Sequence, residues 1–519
     1  MAIEYNCLPL SSHVVEFKDK LWTQQRRRPS FFSFLGKTLR IWRLRNIGIA
    51  FLVWQVTFNV PYTNPRPFTI PANETVYIAA NIIDADLING AWGRSLVELV
   101  DLIGKDRVYV SIYGGPTSAL KTLERKLDCE ARLVSEEEHP IDLKSLPRTP
   151  LSTGKTVIKR VAHLAEVRNK ALEPLATLNR KFDKVLFIND VYFAPADAAR
   201  VLWGTNLNAE GVAEYKAVCG MDFVNGWKYY DTFATRDLEG YGLGVPIFPW
   251  FANEGHAISR NDVLEGRDAV RVKSCWGGIV AFDARYFQRD LYSLHINATE
   301  HFKAPGKSGV EALDLQQLPL RFRSEPEPFW DSSECCLIHA DIIALPPFLA
   351  PSKEIRKEYG DGIFMNPYVR VSYDMSTQKH IWLAQRFERL FAVPQAVINR
   401  FAHLPRSNYR RTEVKGGMVE DRVWVASTVG DRGGEAGHEF GGQDSARPAS
   451  RVDRSRRATI GSGKGVEYWK SKGQYIDFER QANTGGYCGV RKLSVLKEGK
   501  GEGNWDNLLD EVPPLDVGL

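Results

Sequence analysis

The stretch KVLFINDVYF, residues Lys184–Phe193, decides the fold class. Its first five residues form a β-strand sequence that is apolar from Val185 to Ile188, and Asn189 and Asp190 follow where that strand ends. A strand that is buried on both faces reads as a continuous apolar run, which is typical of a parallel sheet covered by helices. A carboxylate at the carboxyl end of such a strand lies at the sheet edge where ligands bind.

The segments around this strand alternate between strand and helix patterns. VYIAAN (76–81) and RVYVSIY (107–113) are further strand sequences, and leucines at helical spacing follow each of them. This alternation predicts an α/β fold with a mostly parallel sheet flanked by helices. We also expect a helical region over Val157–Phe182, interrupted near Pro174, and one amphipathic helix over Ile381–Phe401.

Composition excludes several classes of protein. The chain has 519 residues, of which 44% are hydrophobic, with 13 Trp and 26 Phe, so it is not a wholly disordered chain. A mean hydropathy of −0.29 excludes a polytopic membrane protein. The net charge of +5 is too small an excess to indicate nucleic acid as a partner. Seven Cys in a chain of this length exclude a disulfide-built scaffold.

The N-terminal region indicates a membrane anchor. Residues 1–45 carry nine Lys or Arg and three acidic residues, and Ile47–Val60 carries no charge. Basic residues before an apolar stretch predict a signal-anchor segment at 46–62, with the rest of the chain on the lumenal side. The uncharged stretch is shorter than the span of about 20 residues that a membrane requires. A buried segment packed on the globule is therefore the alternative.

A shift in composition divides the rest of the chain. Residues 427–466 are dominated by Gly, Ser, Arg, Asp and Glu, which predicts a disordered insertion. We therefore distinguish a basic cytosolic tail (1–45), the anchor segment (46–62), the main α/β domain (63–425), this insertion (427–466) and a C-terminal end of the same domain (467–519).

Acidic and amide side chains at the strand end are candidates for a metal site. The Asp190 carboxylate could hold a divalent ion, and Asn189 could add a carbonyl oxygen. A helix cap is the alternative role for both residues.

A second cluster lies in WDSSECCLIHAD, residues 330–341. Glu334 is a candidate acid/base or nucleophilic carboxylate, and His339 could complete a Mn²⁺ shell. The alternative is a buried strand, CLIHADIIAL, with a hydrogen-bonded histidine. The pattern leaves open whether Cys335 and Cys336 are thiols or disulfides, and it lacks the second ligand pair of a zinc site.

The sequence SCWGG, residues 274–278, predicts a tight glycine turn before a strand at Ile279–Phe282. Trp276 could stack on a sugar ring, and Gly277 and Gly278 would let the backbone approach a ligand. An ordinary turn with a core tryptophan is the alternative. Four further polar residues could bind hydroxyl groups or belong to a solvated loop: Asp222, Asp231, Arg236 and Asp237.

Taken in order, five of these segments resemble a known family. VYIAAN, VLFINDVYF, CGMDF (219–223), CWGG (275–278) and SSECCLIHADI (332–342) are similar to the fungal cryptococcal mannosyltransferase family, glycosyltransferase family 69. That family includes an α-1,3-mannosyltransferase and capsule-associated proteins. GGYCGVR (485–491) and Asn504-Trp505 look like its C-terminal end, so the resemblance covers roughly 70–425 and 467–510.

The resemblance implies a single-pass type II Golgi membrane enzyme with a GT-A-like fold. Such an enzyme would use GDP-mannose and Mn²⁺ (or Mg²⁺) to form an α-1,3 link to a mannose-containing glycan, with retention, in capsule or cell-wall polysaccharide synthesis. Asp190 falls on the metal position, which His339 would share, and Glu334 falls on the acidic position of the Ser-Glu-Cys-Cys run. We place donor contacts at Ala80, Asn81, Asn189 and Asp190, and the acceptor side at Trp276, Gly277, Gly278 and Asp222.

Two features depart from the family's pattern. The Asp-x-Asp motif usual in α/β glycosyltransferases is reduced to Asn189-Asp190, and the insertion at 427–466 separates the main domain from its final strand. These departures leave open a second function, a non-catalytic lumenal protein that binds carbohydrate or assists assembly in the same pathway. A metal-dependent glycoside hydrolase is a third hypothesis, which would need two carboxylates at a fixed separation.

Overall fold

The computed structural model describes residues 31–58, 62–151, 155–288, 319–345, 360–406, 408–426, 468–469, 471–498 and 505–508. These ranges belong to two compact units, divided between Phe58 and Asn59. In the first unit, the described residues form helix α1 (Phe31–Phe58). Across the described ranges, no helix is both long enough and apolar enough to cross a membrane. The predicted insertion at 427–466 lies outside these ranges.

The second unit contains both strands and helices. Its strands, in chain order, are β1 (Val76–Ala80), β2 (Val108–Gly114), β3 (Glu130–Ser135), β4 (Arg148–Pro150), β5 (Thr156–Ile158), β6 (Lys184–Ile188), β7 (Ala217–Phe223), β8 (Arg236–Asp237), β9 (Val270–Ser274), β10 (Ile279–Asp283), β11 (Trp330–Ser332), β12 (Ile363–Ser372), β13 (Met418–Ala426), β14 (Gly473–Gln481), β15 (Gly489–Arg491), β16 (Ser494–Leu496) and β17 (Trp505–Asn507). Its α-helices are α2 (Ala85–Asn89), α3 (Ala91–Ile103), α4 (Thr117–Glu124), α5 (Arg160–Leu172), α6 (Pro195–Trp203), α7 (Ile258–Leu264), α8 (Glu334–Ala344), α9 (Met375–Gln385) and α10 (Ala392–Phe401).

A nine-stranded sheet forms the centre of this unit, in the order β3-β2-β1-β6-β10-β7-β12-β9-β8. Strands β3, β2, β1 and β6 are parallel, and so are β7 and β12. Strand β10 runs antiparallel between β6 and β7, and β9 runs antiparallel between β12 and β8. The predicted α/β fold with a mostly parallel sheet is therefore confirmed.

Hydrophobic cores cover both faces of the sheet. Tyr77 and Phe187 point into one core, and their neighbours Ile78 and Leu186 point into the other. Side chains alternate between the faces of a strand, so a strand with a core on each side is apolar at every position. This is why β1 and β6 read as unbroken apolar runs. The polar side chains next to β1 and β6 therefore lie at the ends of these strands.

Helix α8 corrects the alternative interpretation of the CLIHADIIAL run as a buried strand. The run is helical from Glu334 to Ala344, and all but a few of its residues are buried. A helix that is enclosed on all sides carries apolar residues around its whole circumference. Such a sequence has no helical periodicity and is easily mistaken for a buried strand.

The predicted continuous helix over Ile381–Phe401 is divided in the structure. Helix α9 ends at Gln385, a 3₁₀ turn follows at Glu388–Phe391, and α10 begins at Ala392. Pro394 explains the division, because a proline inside a continuous helix would clash with the carbonyl of residue 390 and remove a hydrogen bond. In the first turn of α10 the proline has no such cost.

The C-terminal segment returns to the main domain. Strand β15 pairs with β11, and a disulfide joins Cys336 in α8 to Cys488. Strands β13 and β14, which flank the inserted stretch, pair with each other in an antiparallel ladder. Residues on both sides of the insertion thus belong to one folded unit.

Candidate active site

Two asparagines follow neighbouring parallel strands. Ala80 ends β1 in register with the last residue of β6, so Asn81 and Asn189 continue at the same sheet edge. Ala80 is fully buried. The Asn81 side-chain amide donates hydrogen bonds to the carbonyls of Tyr113 (3.1 Å) and Val167 (2.9 Å). Its oxygen Oδ1 is buried and has no hydrogen-bond partner among the described residues.

Asp190 presents an available carboxylate at this edge. Its side chain is accessible to solvent and makes no hydrogen bond or ion pair with another side chain in the described ranges. Burial by surrounding protein nevertheless raises the pKa of Asp190, with a smaller contribution from Asp84 and an opposing one from Arg168. The carboxylate is open to solvent and lies at the edge where ligands of open α/β sheets bind. Asp190 is therefore placed to contact a ligand.

Asn189 is held by two tryptophans. The indole of Trp276 donates to Asn189 Oδ1 at 3.1 Å, and the indole of Trp92 donates to its main-chain oxygen at 2.8 Å. Arg168 approaches the same Oδ1 at 3.5 Å. The expectation that Asn189 adds a carbonyl ligand to a metal is not supported, because its oxygens already accept these hydrogen bonds. Its contacts fix the chain directly before Asp190.

Arg168, in α5, connects the strand ends to Glu334. Its Nε donates to Glu334 Oε1 at 3.1 Å, and its guanidinium lies 4.3 Å from the centroid of the Trp276 ring. Glu334 is the first residue of α8 and is 3% exposed. The Cys335 thiol also donates to Glu334 Oε1, at 3.4 Å, and burial keeps the pKa of that thiol well above its usual range. No described group hydrogen-bonds Glu334 Oε2.

Glu334 is a candidate from its sequence motif, whereas Arg168 emerges only from the structure. Nothing in the sequence distinguishes this arginine from the other basic residues of α5. Its role depends on the packing of α5 against α8, which joins residues that are 166 positions apart.

The predicted glycine turn at 274–278 is confirmed, but its glycines are required by packing. Asp231 Oδ2 accepts hydrogen bonds from the backbone amides of Trp276 (3.0 Å) and Gly277 (3.4 Å). Gly277 and Gly278 have φ values of +58° and +71°, a region that side chains disfavour. A Cβ on Gly277 would lie 2.0 Å from the carbonyl oxygen of Gly220. This contact, rather than an approaching ligand, explains the glycine.

Trp276 is a core residue in the structure. It is 4% exposed and packs against Phe187, Phe282 and Phe322, while Arg168 covers one face of the ring. The expectation that this ring stacks on an acceptor sugar is therefore corrected, because both of its faces contact protein.

A disulfide between Cys219 in β7 and Cys275 holds the same turn. It closes a loop over a sequence separation of 56 residues. We expect the double variant Cys219→Ser/Cys275→Ser to lower the free energy of unfolding by about 4 kcal/mol, the chain-entropy value for a loop of this length. Urea denaturation measures the change. Cys129→Ser, which removes a half-buried free thiol, is the control. An unchanged denaturation midpoint in the double variant would contradict the prediction.

Asp222 lies at the end of β7 but is closed to ligands. It is 1% exposed, its Oδ2 accepts from the Tyr373 hydroxyl at 2.8 Å, and its Oδ1 accepts from the Asp231 amide at 3.1 Å. The predicted acceptor-side contact is thus corrected to a buried structural one. Arg236 and Asp237 are also buried, so neither belongs to a solvated loop.

Asp222 should make stability depend on pH. Burial, and then the nearby Asp231 carboxylate, raise the pKa of Asp222 well above its usual range. At pH values between the unfolded pKa of about 3.9 and the raised pKa, Asp222 is protonated in the folded protein and ionised in the unfolded chain. The free energy of unfolding should therefore fall as pH rises from about 4 through the raised pKa. Urea denaturation across this range should show a shallower slope for Asp222→Asn than for wild type and for the surface control Asp101→Asn. Equal slopes for all three proteins would rule out this role.

The structure does not bring His339 to Asp190. The ring of His339 packs against Phe282, which pairs with Val185 near the start of β6, five residues before Asp190. At about 3.3 Å per residue this separation is on the order of 16 Å along the strand. His339 is wholly buried, its Nδ1 contacts the Cys335 carbonyl, and burial lowers its pKa to about 4. The predicted shared metal shell is therefore wrong.

Within the described ranges, no group of three or more His, Cys, Asp and Glu side chains is arranged to hold a metal ion. Asp190 offers an accessible carboxylate at the strand ends, and the exposed carboxylate of Asp84, which caps α2, is close enough to raise the pKa of Asp190. Mg²⁺ and related hard ions are commonly held by one or two carboxylates together with substrate phosphates and water. The residues present fit an ion that is shared with a diphosphate.

The model of a family described as cryptococcal mannosyltransferase 1 matches residues 75–341, just over half of the chain. The chain belongs to this glycosyltransferase family, as its sequence motifs predict. All the candidate residues from Ala80 to His339 lie within the matched range. No curated protein matches the chain in sequence.

Two solved structures illustrate the structural similarities. Glucosyl-3-phosphoglycerate synthase from Mycobacterium tuberculosis, in complex with Mn²⁺, UDP and phosphoglyceric acid, is 10% identical with a TM-score of 0.28, over 70% of this chain and 89% of that one. The mannosyltransferase PcManGT from Pyrobaculum calidifontis, in complex with GDP-Man and Mn²⁺, is 10% identical with a TM-score of 0.27, over 70% of this chain and 84% of that one. Similarities this low carry no conclusion about chemistry.

Proposed function

We propose that the chain is a GT-A-type α-1,3-mannosyltransferase that transfers mannose from GDP-mannose to a mannose-containing glycan with retention of configuration. The observation that carries this proposal is the Asp190 carboxylate, which is accessible and has no side-chain partner at the carboxyl edge of the sheet. Ligands of open α/β sheets bind at this edge. Family membership directs the proposal to a sugar nucleotide and to a capsule or cell-wall polysaccharide.

Asp190 would hold Mn²⁺ or Mg²⁺. A bound ion would neutralise charge on the diphosphate leaving group. Asn189 keeps Asp190 in place through its tryptophan contacts. Glu334 Oε2, which has no described partner, would face the positive charge that develops on the sugar ring. Arg168 orients Glu334 through Oε1 and leaves Oε2 available.

The test is product formation by the full chain. Incubation with GDP-mannose and an α-mannose disaccharide should give a trisaccharide with Mn²⁺ and none with EDTA. Linkage analysis of that product would establish the 1,3 position, and NMR would establish the anomeric configuration. If folded protein released no GDP and formed no product, the second hypothesis, a non-catalytic carbohydrate-binding protein, would be favoured. That hypothesis is supported by the lack, within the described ranges, of any group of three or more His, Cys, Asp and Glu side chains arranged to hold a metal ion.

We also propose a Golgi location with the described catalytic unit in the lumen. The two disulfides support it, because disulfides persist in the secretory pathway and are rare in the cytosol. The anchor at 46–62 remains a prediction from charge and hydropathy. Protease protection and carbonate extraction of microsomes would test the orientation and the anchor separately.

A further inference from the structure

The loop between β7 and β8 exposes a tyrosine, Tyr230. This residue is 52% exposed, whereas its neighbour Tyr229 is fully buried. The backbone amide of Tyr230 donates to the Asp222 carbonyl at 2.9 Å, and Phe223 and Tyr229 form an antiparallel bridge. These bonds close the start of the loop on the end of β7, so the backbone that carries Tyr230 is held in place.

A second tyrosine supports the Tyr230 ring. The centroids of the Tyr230 and Tyr373 rings are 4.8 Å apart, and the ring planes meet at 63° in a T-shaped contact. The Tyr373 hydroxyl donates to Asp222 Oδ2 at 2.8 Å, which fixes the supporting ring. T-shaped contacts of this kind are a favourable arrangement for two aromatic rings. Tyr230 is therefore oriented by protein contacts while about half of it stays open to solvent.

Backbone hydrogen bonds bring this pair of rings to the candidate site. The Tyr192 amide donates to the Ser372 carbonyl at 2.7 Å, and the Ser372 amide donates back at 3.4 Å. Tyr192 lies two residues after Asp190, and Tyr373 directly follows Ser372. Because the two segments run antiparallel, Tyr373 lies on the Asp190 side of this bridge, at a backbone distance on the order of 10 Å from Asp190. Burial and the Asp222 carboxylate raise the pKa of Tyr373, and Asp190 adds to this effect, as expected for groups that lie close together.

The sheet topology indicates which substrate lies beside Tyr230. Strands β3, β2, β1 and β6 form a parallel half, the arrangement that binds nucleotides in doubly wound sheets. Asp190 follows β6, while Tyr230 and Tyr373 follow β7 and β12 on the other side of β10. A donor whose nucleotide lies over the parallel half and whose diphosphate reaches Asp190 leaves the Tyr230 side to the acceptor.

We infer that Tyr230 is a specificity-determining residue on whose ring a neutral pyranose of the acceptor glycan stacks. One side of a pyranose ring carries C–H groups, which pack on an aromatic face, while its hydroxyl groups stay in contact with water or polar side chains. Tyr230 would thus supply the stacking contact that the sequence suggests for Trp276, whose ring is covered by protein. The inference rests on the proposed function, which supplies the sugar acceptor.

Acceptor kinetics of the full chain test the role of the ring. Tyr230→Leu removes the flat ring and should raise the KM for the α-mannose disaccharide about tenfold, with the KM for GDP-mannose unchanged. Tyr230→Phe keeps the ring and should match wild type. Tyr409→Leu changes another exposed tyrosine, which is 47% exposed, and should alter neither KM. A raised KM for GDP-mannose with an unchanged acceptor KM in Tyr230→Leu would overturn the inference, because the ring would then contact the donor.

Saturation-transfer NMR measures acceptor binding without turnover. With GDP and Mg²⁺ present and no donor sugar, wild type and Tyr230→Phe should transfer saturation to the C–H protons of one ring of the disaccharide, and Tyr230→Leu should not. Product formation by wild type with an unchanged acceptor KM in Tyr230→Leu would overturn this inference and leave the proposed function intact. Disaccharide binding that requires the Tyr230 ring, without any product, would support the sugar contact and count against the proposed transfer. Folded wild-type protein that neither binds the disaccharide nor forms product would overturn both.

Discussion

Asp190→Ala should abolish transfer that depends on a divalent cation. Asp190 is the accessible carboxylate at the strand ends, and no group of three or more candidate ligands within the described ranges could replace it. Loss of one group that stabilises a developing charge lowers the rate about 10²–10³-fold. Loss of the protein ligand of the ion should lower the rate by about 10³-fold or more. GDP release and product formation, measured over a range of Mn²⁺ concentrations, give the size of the effect.

Two further variants separate this role from a structural one. Asp190→Asn keeps the shape of the side chain and removes its charge, so it should also be inactive while unfolding as wild type does. Asp101→Ala removes an exposed carboxylate in α3 and should change neither activity nor stability. Full activity in Asp190→Ala would exclude Asp190 as the ligand of a catalytic ion.

Removal of either member of the Arg168–Glu334 pair should reduce both stability and activity. The two side chains are 12% and 5% exposed, and they approach to 3.1 Å. A buried charge left without its partner costs about 3–5 kcal/mol, which is our expectation for Arg168→Met and for Glu334→Gln in urea denaturation. Activity should fall below detection in Glu334→Gln, because a neutral amide cannot stabilise positive charge on the sugar.

A double variant distinguishes catalysis from folding. Arg168→Met/Glu334→Leu replaces both charges with apolar groups, and such replacements of buried pairs are often neutral or stabilising. We therefore expect this protein to regain stability and to remain inactive. Arg132→Met, in an ion pair that is about half exposed, should cost no more than about 1 kcal/mol. Activity in the double variant would show that the pair serves the fold alone.

The sequence predicts the edge of the site better than its interior. The strand sequences that end at Asn81 and Asp190 could be read from apolar runs, because parallel strands carry cores on both faces. The roles of Arg168 and Asp231 could not be predicted in this way. That of Arg168 arises where α5 packs against α8, and that of Asp231 arises where its loop contacts the turn at 275–278. The sequence leaves Trp276 open between a ligand contact and a core residue, because it does not reveal whether protein covers the faces of the ring.

Helices were the weaker part of the fold prediction. Burial on all sides removed the periodicity of α8, so the helix looked like a strand. The sequence shows the apolar positions of α10, but an amphipathic pattern does not specify which side of a helix faces the protein. Buried Gln395 and Asn399 reverse the usual orientation through hydrogen bonds that link residues about 150 positions apart.

The β13–β14 ladder has a consequence for how the gene could vary. Ala426 pairs with Gly473, so the chain leaves and re-enters the ladder at adjacent positions. Coding sequence can therefore be lost or gained in frame at this point, whether by a change in splicing or by the insertion of a reporter domain. Because the disulfide between Cys336 and Cys488 spans the same point, a single proteolytic cut there would leave the two fragments covalently joined.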